Sequence, residues 1–589
     1  MKLFNDPISY LFKHLWRFSE GNRRHFVLFI VLSLIANAIN LAEPLITAQI
    51  LNIVQEQGVT SESYGAILFW LGAFVAIGLA FWVFHGPSRV MEHRNAFLAR
   101  LNVRKHLLGG VLALPAEWHT DHHSGDTIDK VEKGAHATYD FGSQVFELTD
   151  LGIRFTGAIA ILFWFSFTSG LTLVGFIVVI MTMIVLFDRV LIRQLRILLR
   201  FENQITAKVY DTISNITTII ILRIQKVVLS DIVKTMFKPL KLFIRNQAMS
   251  ETKWFLVTLT SSLMLFCIMA LYLWQSISAG TVLLVGTVYA LFGYLMRATE
   301  GFYRFAYVYG ERVKYKTQIS NAEELSDDFV KMKRIKQVRV DQDWKTLGIQ
   351  DCQFSYEGEE GDVHIDGVSM DIRHGEKIAF IGESGSGKTT MLKLIRGLYI
   401  PQSVTVCVDG DETEDGFESI SDSIALIPQD PEIFTATIKN NITMGIARTM
   451  KEVHRFTDLA EFTRVAEGLP NGFDSSIVER GVNLSGGEKQ RLALARGLMA
   501  SEDKEIVLMD EPTSSVDAMN ELKIFRNVFE QYPTKTIIAS VHRLHLLALF
   551  DRVYMFDNGR VIASGTSDQL LSTSPEFKEL WDEYQKQMQ

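Results

Sequence analysis

Six apolar segments of about 20 residues each occupy the first half of this 589-residue chain. An α-helix needs roughly 20 apolar residues to cross the hydrocarbon core of a bilayer, which is about 30 Å thick. Because lipid offers no hydrogen-bond partners to an open backbone, such segments are restricted to spanning helices. The first half is therefore predicted to be an all-α domain with six membrane spans, near 26–54, 65–85, 149–168, 171–188, 255–276 and 281–301.

Lysine and arginine are distributed unevenly between the connections of these spans. The connections 55–64, Ser169-Gly170 and 276–280 contain none, whereas 86–148 contains seven and 188–253 contains twelve. Short loops rich in Lys and Arg stay on the cytoplasmic side. The N-terminus and the C-terminal half are therefore predicted to be cytoplasmic. The two long basic connections have apolar residues at helical spacing, which predicts that the spanning helices extend beyond the bilayer.

Charge and composition bound the remaining organisation. Residues 1–24 are amphipathic, which predicts a cytoplasmic interfacial helix rather than a cleavable signal. The spans define a transmembrane domain over 25–310, followed by a linker over 311–345 and a soluble α/β domain over 346–589. A net charge of −8 argues against a nucleic-acid partner, since such proteins carry a basic footprint.

Several polar side chains lie inside the predicted spans, where a central charge costs about 2.5–3.5 kcal/mol on insertion scales. One interpretation is a substrate pathway, and the other is hydrogen bonding between helices. Arg297 and Glu300, near the end of the sixth span, would snorkel or pair with each other in the second interpretation. The candidate pathway residues are Asn37, Asn40, Glu43 and Arg154.

The segment EKIAFIGESGSGKTTMLKLI reads as a strand, a glycine-rich loop and a helix. Residues Gly382 to Thr389 fit the pattern GxxxxGK[ST], in which backbone N–H groups surround an anion at a helix N-terminus. In such a loop Lys388 reaches the β- and γ-phosphates, and the Thr389 hydroxyl binds Mg²⁺. The order of strand, loop and helix predicts a phosphate-binding site.

Two adjacent carboxylates follow the apolar strand in EIVLMDEP. Asp510 is predicted to hold the Mg²⁺ shell, and Glu511 to polarise the attacking water. The two motifs together indicate a nucleoside triphosphatase.

The segment Leu484-Ser485-Gly486-Gly487-Glu488, followed by KQRLALAR, narrows the class. With this segment the chain resembles the ATP-binding cassette (ABC) transporters, specifically exporter half-transporters in which one membrane domain is fused to one cassette. The chain departs from the commoner pattern of this family at Glu488, which replaces Gln in the signature, and in the loop Ser514–Asp517, which reads SSVD instead of SALD. Neither change removes a catalytic group.

The resemblance implies roles for further residues. Tyr356 stacks on adenine, Gln429 contacts Mg²⁺, Asp517 lies in the loop joining two cassettes, and His542 is the switch histidine. Segment 478–481 contacts the cytoplasmic helices, and coupling helices lie near 128–137 and 214–222. The implied ATP-binding residues are Tyr356, Gly382, Glu383, Ser384, Gly385, Ser386, Gly387, Lys388, Thr389, Thr390, Ser485, Gly486, Gly487 and Glu488, the implied catalytic residues are Glu511, His542, Gln429 and Asp517, and the implied Mg²⁺ ligands are Thr389, Gln429 and Asp510.

Together these features predict ATP-driven export of an amphiphilic or polar substrate by alternating access. The substrate class stays open between a small molecule, a lipid, a saccharide and a peptide. Because the signature caps ATP held by another cassette in this family, the partner is a second half-transporter, with a homodimer favoured over a heterodimer. The predicted location is the bacterial inner membrane. The alternatives are an exporter-fold importer and an ATP-gated or regulatory membrane protein that does not pump.

Overall fold

The computed structural model describes residues 7–122, 124–280, 282–331, 340, 343–356, 362–430, 432–477 and 484–588. These residues form two compact units: one contains the described residues up to 114 and from 122 to 331, and the other contains 115–121 and the described residues from 340 onward. The first unit is helical, and the second contains two β-sheets with surrounding helices. The predicted fold class, a helical transmembrane domain followed by an α/β domain, is confirmed.

Long helices make up the first part of the chain. Two of them, α4 and α8, have 52 and 48 residues, which corresponds to about 78 and 72 Å at 1.5 Å per residue. Both are longer than the roughly 30 Å of a bilayer core, so each is long enough for the predicted extension beyond its span. The helices are α1 (Pro7–Phe18), α2 (Arg23–Asn40), α3 (Glu43–Gln57), α4 (Ser61–Leu112), α5 (Ala116–Asp121), α6 (Ser124–Gly142), α7 (Val145–Phe165), α8 (Phe167–Ser214), α9 (Ile216–Ile221), α10 (Gln225–Phe237), α11 (Leu240–Ser278) and α12 (Val285–Lys331).

Among the described residues, five helical stretches are long and apolar enough to cross a membrane. They contain the first, second, fourth and fifth predicted spans and most of the third, whose last residues lie beyond the end of α7 at Phe165. The sixth predicted span falls in α12, which is helical from Val285 onward but is not among the five. Arg297 and Glu300 lie within that span and lower its apolar character. The chain is thus a multi-pass membrane protein, and the sixth span remains a prediction.

The turn between the third and fourth spans and the first coupling helix lie at positions other than those predicted. Helix α7 ends at Phe165 and α8 begins at Phe167, so Ser169 and Gly170 lie in the first turn of α8. Ser166 forms the break because its side chain accepts a hydrogen bond from Ser169 N at 3.3 Å. The first coupling helix was expected near 128–137, but this segment lies inside the longer helix α6. The short helix that precedes α6 in the chain is α5. Pro115 separates α5 from α4, since proline cannot donate the backbone bond that would continue a helix.

The predicted linker needs correction, and the predicted N-terminal helix contains α1. Residues 311–331, assigned to the linker, continue α12. Their side chains at Tyr315 and Ile319 are buried with Leu11 and Leu15 of α1. The apolar face of α1 is therefore covered by protein in this unit, because it packs against neighbouring helices.

The second unit is built on a six-stranded sheet with the order β10-β9-β3-β8-β7-β6 and a four-stranded antiparallel sheet with the order β2-β1-β4-β5. The strands are β1 (Thr346–Phe354), β2 (Ile365–Arg373), β3 (Lys377–Ile381), β4 (Ser403–Val408), β5 (Asp411–Glu412), β6 (Ile424–Ile427), β7 (Ile506–Asp510), β8 (Thr536–Ser540), β9 (Arg552–Asp557) and β10 (Arg560–Gly565). The helices are α13 (Lys388–Ile395), α14 (Phe417–Ile420), α15 (Ile438–Thr443), α16 (Met450–Leu459), α17 (Thr463–Glu467), α18 (Gly486–Ala500), α19 (Ala518–Gln531), α20 (Ser567–Thr573) and α21 (Pro575–Met588).

The central strands of the larger sheet are buried on both faces. Every residue of β3, β7 and β8 is buried, as is typical of parallel strands covered on both sides. Strand β3 is parallel to β8, β8 to β7, and β7 to β6. The carboxyl ends of these four strands therefore meet at one edge of the sheet, where ligands bind in open α/β sheets.

Lys535, just before β8, holds the end of helix α18. Its Nζ donates to the carbonyl oxygens of Ser501, Glu502 and Lys504 at 2.8, 2.8 and 2.6 Å. Replacing Lys535 with Met removes these charge-assisted bonds, and we expect a loss of about 2 kcal/mol in stability. The melting temperature of the purified full chain should fall by about 4–8 °C. The exposed Lys523, replaced in the same way, is the control; equal shifts for both variants would contradict the assignment.

Candidate functional site

The predicted phosphate loop connects β3 to α13 at the carboxyl edge of the larger sheet. Lys388 is 5% exposed, and its Nζ donates to the carbonyl oxygens of Gly382 and Glu383, both at 2.8 Å. Burial lowers the pKa of the Lys388 amine, while the carboxylates of Glu511 and Asp510 act in the opposite direction. The amine is thus held at the mouth of the loop beside two acids.

Two glycines of the loop are required by its geometry. Gly382 has φ 143°, and a Cβ there would lie 2.2 Å from the carbonyl oxygen of Phe556. Gly387 has φ 107° and precedes the first residue of α13. Only glycine adopts such backbone angles without strain. The loop can therefore turn its backbone toward a ligand at the helix N-terminus.

Thr389 and Asp510 meet beside this loop. The Thr389 hydroxyl donates to Asp510 Oδ1 at 2.9 Å, and the Ser540 hydroxyl donates to the same oxygen at 2.8 Å. Asp510 is 4% exposed. The two predicted Mg²⁺ ligands are adjacent because β3 and β7 end at the same edge of the sheet. Ser540 was not singled out from the sequence, although it ends β8 and is the first residue of the segment SVHR that contains His542.

Glu511 is contacted by side chains from two other strand ends. Gln429, after β6, donates through Nε2 to Glu511 Oε2 at 2.6 Å. His542, after β8, places Nε2 2.5 Å from Glu511 Oε1. The Glu511 backbone N–H donates to Ser540 Oγ at 2.9 Å, and its φ of 43° is unusual for a non-glycine residue. Three residues predicted to be catalytic are thus assembled around one carboxylate.

Tyr356 follows β1 of the smaller sheet and remains partly exposed. Its hydroxyl lies 3.4 Å from Thr390 Oγ1, in the first turn of α13. Its ring makes edge contacts with Phe354, Tyr399 and His364. The aromatic ring is therefore fixed next to the helix that follows the phosphate loop.

The signature segment begins helix α18 with a reciprocal cap. Ser485 N and Ser485 Oγ donate to Glu488 Oε2 at 2.7 and 2.8 Å. These bonds, the one from the backbone N–H first, lower the pKa of the Glu488 carboxyl. Glu488 thus caps its own helix, which explains how a carboxylate is accommodated at this position. The preceding segment 478–481 lies outside the described residues.

Gln490, a second residue that sequence reasoning missed, links the signature helix to the loop after β7. It donates to Ser514 Oγ at 2.7 Å and accepts from Ser515 N at 2.7 Å. A Cβ on Gly487 would lie 2.7 Å from the carbonyl oxygen of Ser515. The hydrogen bonds of Ser485 and Glu488 in the described part of the chain involve neither the phosphate loop nor Glu511.

Asp517 caps helix α19. Its Oδ1 accepts from Asn520 N at 3.1 Å, and this bond is the main cause of the lowered pKa of its carboxyl. Asp517 makes no hydrogen bond to Glu511 within the described residues. Its position in this unit is that of an exposed helix cap.

The candidate pathway residues of the helical unit are engaged in polar contacts between helices. Glu43 pairs with Arg297 at 2.6 Å, and the same arginine donates to the carbonyl oxygen of Asn40 at 2.7 Å. Arg154 pairs with Asp150 at 2.8 Å and with Glu300 at 3.0 Å. Arg297 and Glu300 therefore pair with other residues rather than with each other, because α12 faces both α3 and α7.

Asn37 is 3% exposed and donates weakly to Ser33 Oγ and Thr149 Oγ1, both at 3.4 Å. Ser33 lies in α2 with Asn37, and Thr149 lies in α7, so the second contact joins α2 to α7. Interhelical hydrogen bonding thus accounts for this side chain in the arrangement observed.

Comparison with known proteins identifies both units. Residues 26–299 match the family model for the ABC transporter transmembrane region, and residues 365–514 match the model for the ABC transporter itself. A solved structure of a bacterial Atm1-family ABC exporter with ATP bound shares the fold, with a TM-score of 0.82 at 22% identity over 95% of this chain and 98% of that one.

Curated relatives match over a shorter stretch. The glutathione/L-cysteine transport system protein CydD of Bacillus subtilis is 36% identical over 237 residues, which is 40% of each chain. The mitochondrial iron-sulfur clusters transporter ATM1 of Debaryomyces hansenii is 39% identical over 223 residues, 37% of this chain and 32% of that relative. Human ABCB7, a transporter with the same description, is 34% identical over 239 residues, 40% of this chain and 31% of its own length. The matched part thus spans well under half of these relatives.

Proposed function

Since the chain belongs to the ABC transporters and carries both a transmembrane region and a nucleotide-binding unit, we propose that it is an ATP-driven exporter. Its cassettes would bind and hydrolyse ATP, and the helical unit would move a polar or amphiphilic substrate by alternating access. The observation that carries the proposal is the assembly of Lys388, Asp510, Glu511 and His542 at one sheet edge, in a chain that also has membrane-spanning helices.

ATP binding is supported by the loop and by the aromatic ring beside it. The amine of Lys388 would exchange its two carbonyl partners for phosphate oxygens, which are stronger acceptors. The ring of Tyr356 would stack on adenine, since its position beside Thr390 places it next to the phosphate loop. Backbone N–H groups at the start of α13 would bind the phosphates.

The residues beside the loop fit a magnesium ion. Mg²⁺ prefers oxygen ligands and usually takes only one or two from the protein, with phosphates and water completing the shell. The Thr389 hydroxyl and the Asp510 carboxylate are already in contact, and the Gln429 side chain lies on the neighbouring Glu511. These three residues would hold the ion, which neutralises phosphate charge when bound.

Hydrolysis requires an oriented water. Glu511 carries a carboxylate that accepts from Gln429 and contacts His542. A ligand that takes over Gln429 or His542 would leave Glu511 free to accept a hydrogen bond from water. His542 would then donate to the terminal phosphate and hold the carboxylate in line, a contribution of positioning and electrostatics.

A second cassette is needed to complete the site. Ser485 and Gly486 open helix α18, and Gln490 of this helix accepts from Ser515 N in the loop after β7. Among the described residues, the side-chain hydrogen bonds of Ser485 go to Glu488 and not to the phosphate loop of the same chain. We infer that this helix end caps ATP bound to a second copy, so that the working unit is a homodimer with two sites. Asp517, exposed at the cap of α19, would face that second cassette.

The substrate would cross the helical unit near the polar residues of α2, α3 and α7. Asn37, Asn40, Glu43 and Arg154 take part in interhelical contacts, which a change between inward and outward states would rearrange. We place the nucleotide-binding unit in the cytoplasm and the helices in the bacterial inner membrane, in line with the distribution of Lys and Arg between the connections.

The test is ATP hydrolysis by this chain expressed alone and reconstituted in lipid, with the Glu511→Gln variant as the blank. We expect hydrolysis clearly above the blank, because a homodimer supplies both halves of each site. Activity equal to the blank would overturn the homodimer and point to a different partner chain. Directional uptake of a cargo that stimulates hydrolysis into inverted vesicles would establish export. Release from those vesicles would indicate import, and no ATP-driven movement would indicate a gate or regulator.

A further inference from the structure

A buried carboxylate outside the nucleotide site connects the two segments that carry Glu511 and His542. We propose that Glu521, in the first turn of α19, is a positioning residue for hydrolysis that fixes these two side chains relative to each other. The proposal rests on the ATPase function proposed above, and it concerns a residue that contacts neither the phosphate loop nor Glu511 itself.

Each oxygen of Glu521 holds a different segment. The Thr513 hydroxyl donates to Oε1 at 2.7 Å, and Thr513 lies two residues after Glu511. Arg543 Nη1 donates to Oε2 at 2.8 Å, and Arg543 directly follows His542. One rigid side chain therefore bridges the ends of β7 and β8 just beyond the catalytic pair.

The Glu521 carboxylate is buried, and both of its oxygens accept hydrogen bonds. Glu521 is 5% exposed and Thr513 is 2% exposed. Among the described residues, His545 also faces Glu521: its Nε2 lies 3.9 Å from Glu521 Oε2, and its Nδ1 lies 2.8 Å from the Tyr584 hydroxyl. A buried carboxylate that loses its cation pays a large desolvation cost, so the pair with Arg543 constrains both partners strongly.

The same arginine extends the constraint into the loop between the segments. Arg543 Nη1 also donates to the carbonyl oxygen of Val516 at 3.0 Å. Val516 and Thr513 belong to the connection that leads from Glu511 to α19. Through Thr513 and Arg543, Glu521 thus constrains the path of this connection, which begins at Glu511 with a φ of 43°. Misplacing a reacting group by about 1 Å costs on the order of 100-fold in rate.

The experiment compares two isosteric substitutions in the reconstituted full chain. Glu521→Gln removes the charge that holds Arg543. Glu376→Gln is the matched control, because Glu376 also pairs with an arginine, Arg552 at 2.7 Å, and accepts a backbone bond from Arg373. We expect Glu521→Gln to lower kcat at saturating ATP by at least tenfold, with KM for ATP within about threefold of wild type. Glu376→Gln should lower thermal stability and leave kcat within twofold.

A second substitution and a double-mutant cycle separate positioning from folding. Thr513→Val keeps the side-chain volume and removes the donor to Glu521; we expect a smaller fall in kcat with the same unchanged KM. In the cycle of Glu521→Gln with Arg543→Met, the losses in kcat should be clearly less than additive, since both act through one contact. If Glu521→Gln melts below the assay temperature, Thr513→Val decides the matter. A kcat within twofold of wild type for the folded variants would overturn the proposal.

The failure of this inference is distinguishable from the failure of the proposed function. If the wild-type chain hydrolyses no ATP above the Glu511→Gln blank, the proposed function in its homodimeric form fails. If the wild type is active and the Glu521 and Thr513 variants are equally active, only the role of Glu521 is overturned.

Discussion

Replacing Glu511 with Gln should lower ATP turnover by about 100- to 10,000-fold, while ATP binding stays close to that of the wild type. Removing a group that polarises the attacking water typically costs this much in rate. The substitution keeps the size of the side chain but removes the charge that faces Lys388 and one of the two oxygens that contact Gln429 and His542. Among the described residues, the Lys388 amine donates to carbonyl oxygens of the loop itself, so the phosphate-binding contacts should persist.

Two measurements check this prediction on the same preparation. Hydrolysis is followed in lipid at saturating ATP, and nucleotide binding is followed separately with a fluorescent ATP analogue. Glu505→Gln is a suitable control, because Glu505 directly precedes β7, whose opposite end Glu511 follows. Undiminished hydrolysis in the Glu511 variant would contradict the role of Glu511, and loss of binding would show that its carboxylate is needed for the loop.

Replacing Lys388 with Ala should weaken ATP binding itself by about 10- to 100-fold. Charge-assisted hydrogen bonds contribute about 1.5–3 kcal/mol each, and 1.4 kcal/mol corresponds to a tenfold change in affinity. The amine is buried and already directed at the mouth of the loop, so its loss leaves the phosphates without their nearest cation from this loop. The effect should therefore appear in the dissociation constant as well as in turnover.

The control for this variant is Lys393→Ala, which removes a lysine from the last turn of the same helix. It changes the charge of the unit by the same amount without touching the loop. Binding of the ATP analogue to wild type and both variants gives the comparison. If Lys388→Ala binds as tightly as Lys393→Ala, the phosphate-loop interpretation of Gly382 to Thr389 is contradicted.

Several features of the fold could be read from local sequence. The apolar segments identified the helical unit, because lipid exposure imposes a requirement on every residue of a spanning segment. The order of strand, loop and helix around Lys388 was also readable, since glycines are needed wherever the backbone adopts a positive φ. The sixth span was the weakest prediction of this kind, because Arg297 and Glu300 interrupt its apolar pattern.

Helix ends were less predictable than helices. The turn at Ser166 lies a few residues before the predicted Ser169-Gly170 turn. The short helix α5 lies one helix earlier in the chain than the coupling helix expected near 128–137. Both ends depend on a single cap or a single proline, whose effect is small compared with the burial of a whole helix face. The predicted linker begins too early in the sequence, because residues 311–331 are largely polar although they continue α12. Tyr315 and Ile319 of this part are buried with residues of α1, a contact that the local sequence does not reveal.

The sequence by itself determined the two-unit organisation, the membrane-spanning segments and the residue types of the nucleotide site, because each depends on neighbours along the chain. Only the tertiary structure decided which side chains from distant parts of the chain come into contact. Glu511 joins Gln429 and His542, Arg297 pairs with Glu43, and Glu521 bridges Thr513 and Arg543. These contacts follow from strand order in the parallel sheet and from helix packing, and residues far apart in sequence carry no local pattern that specifies either.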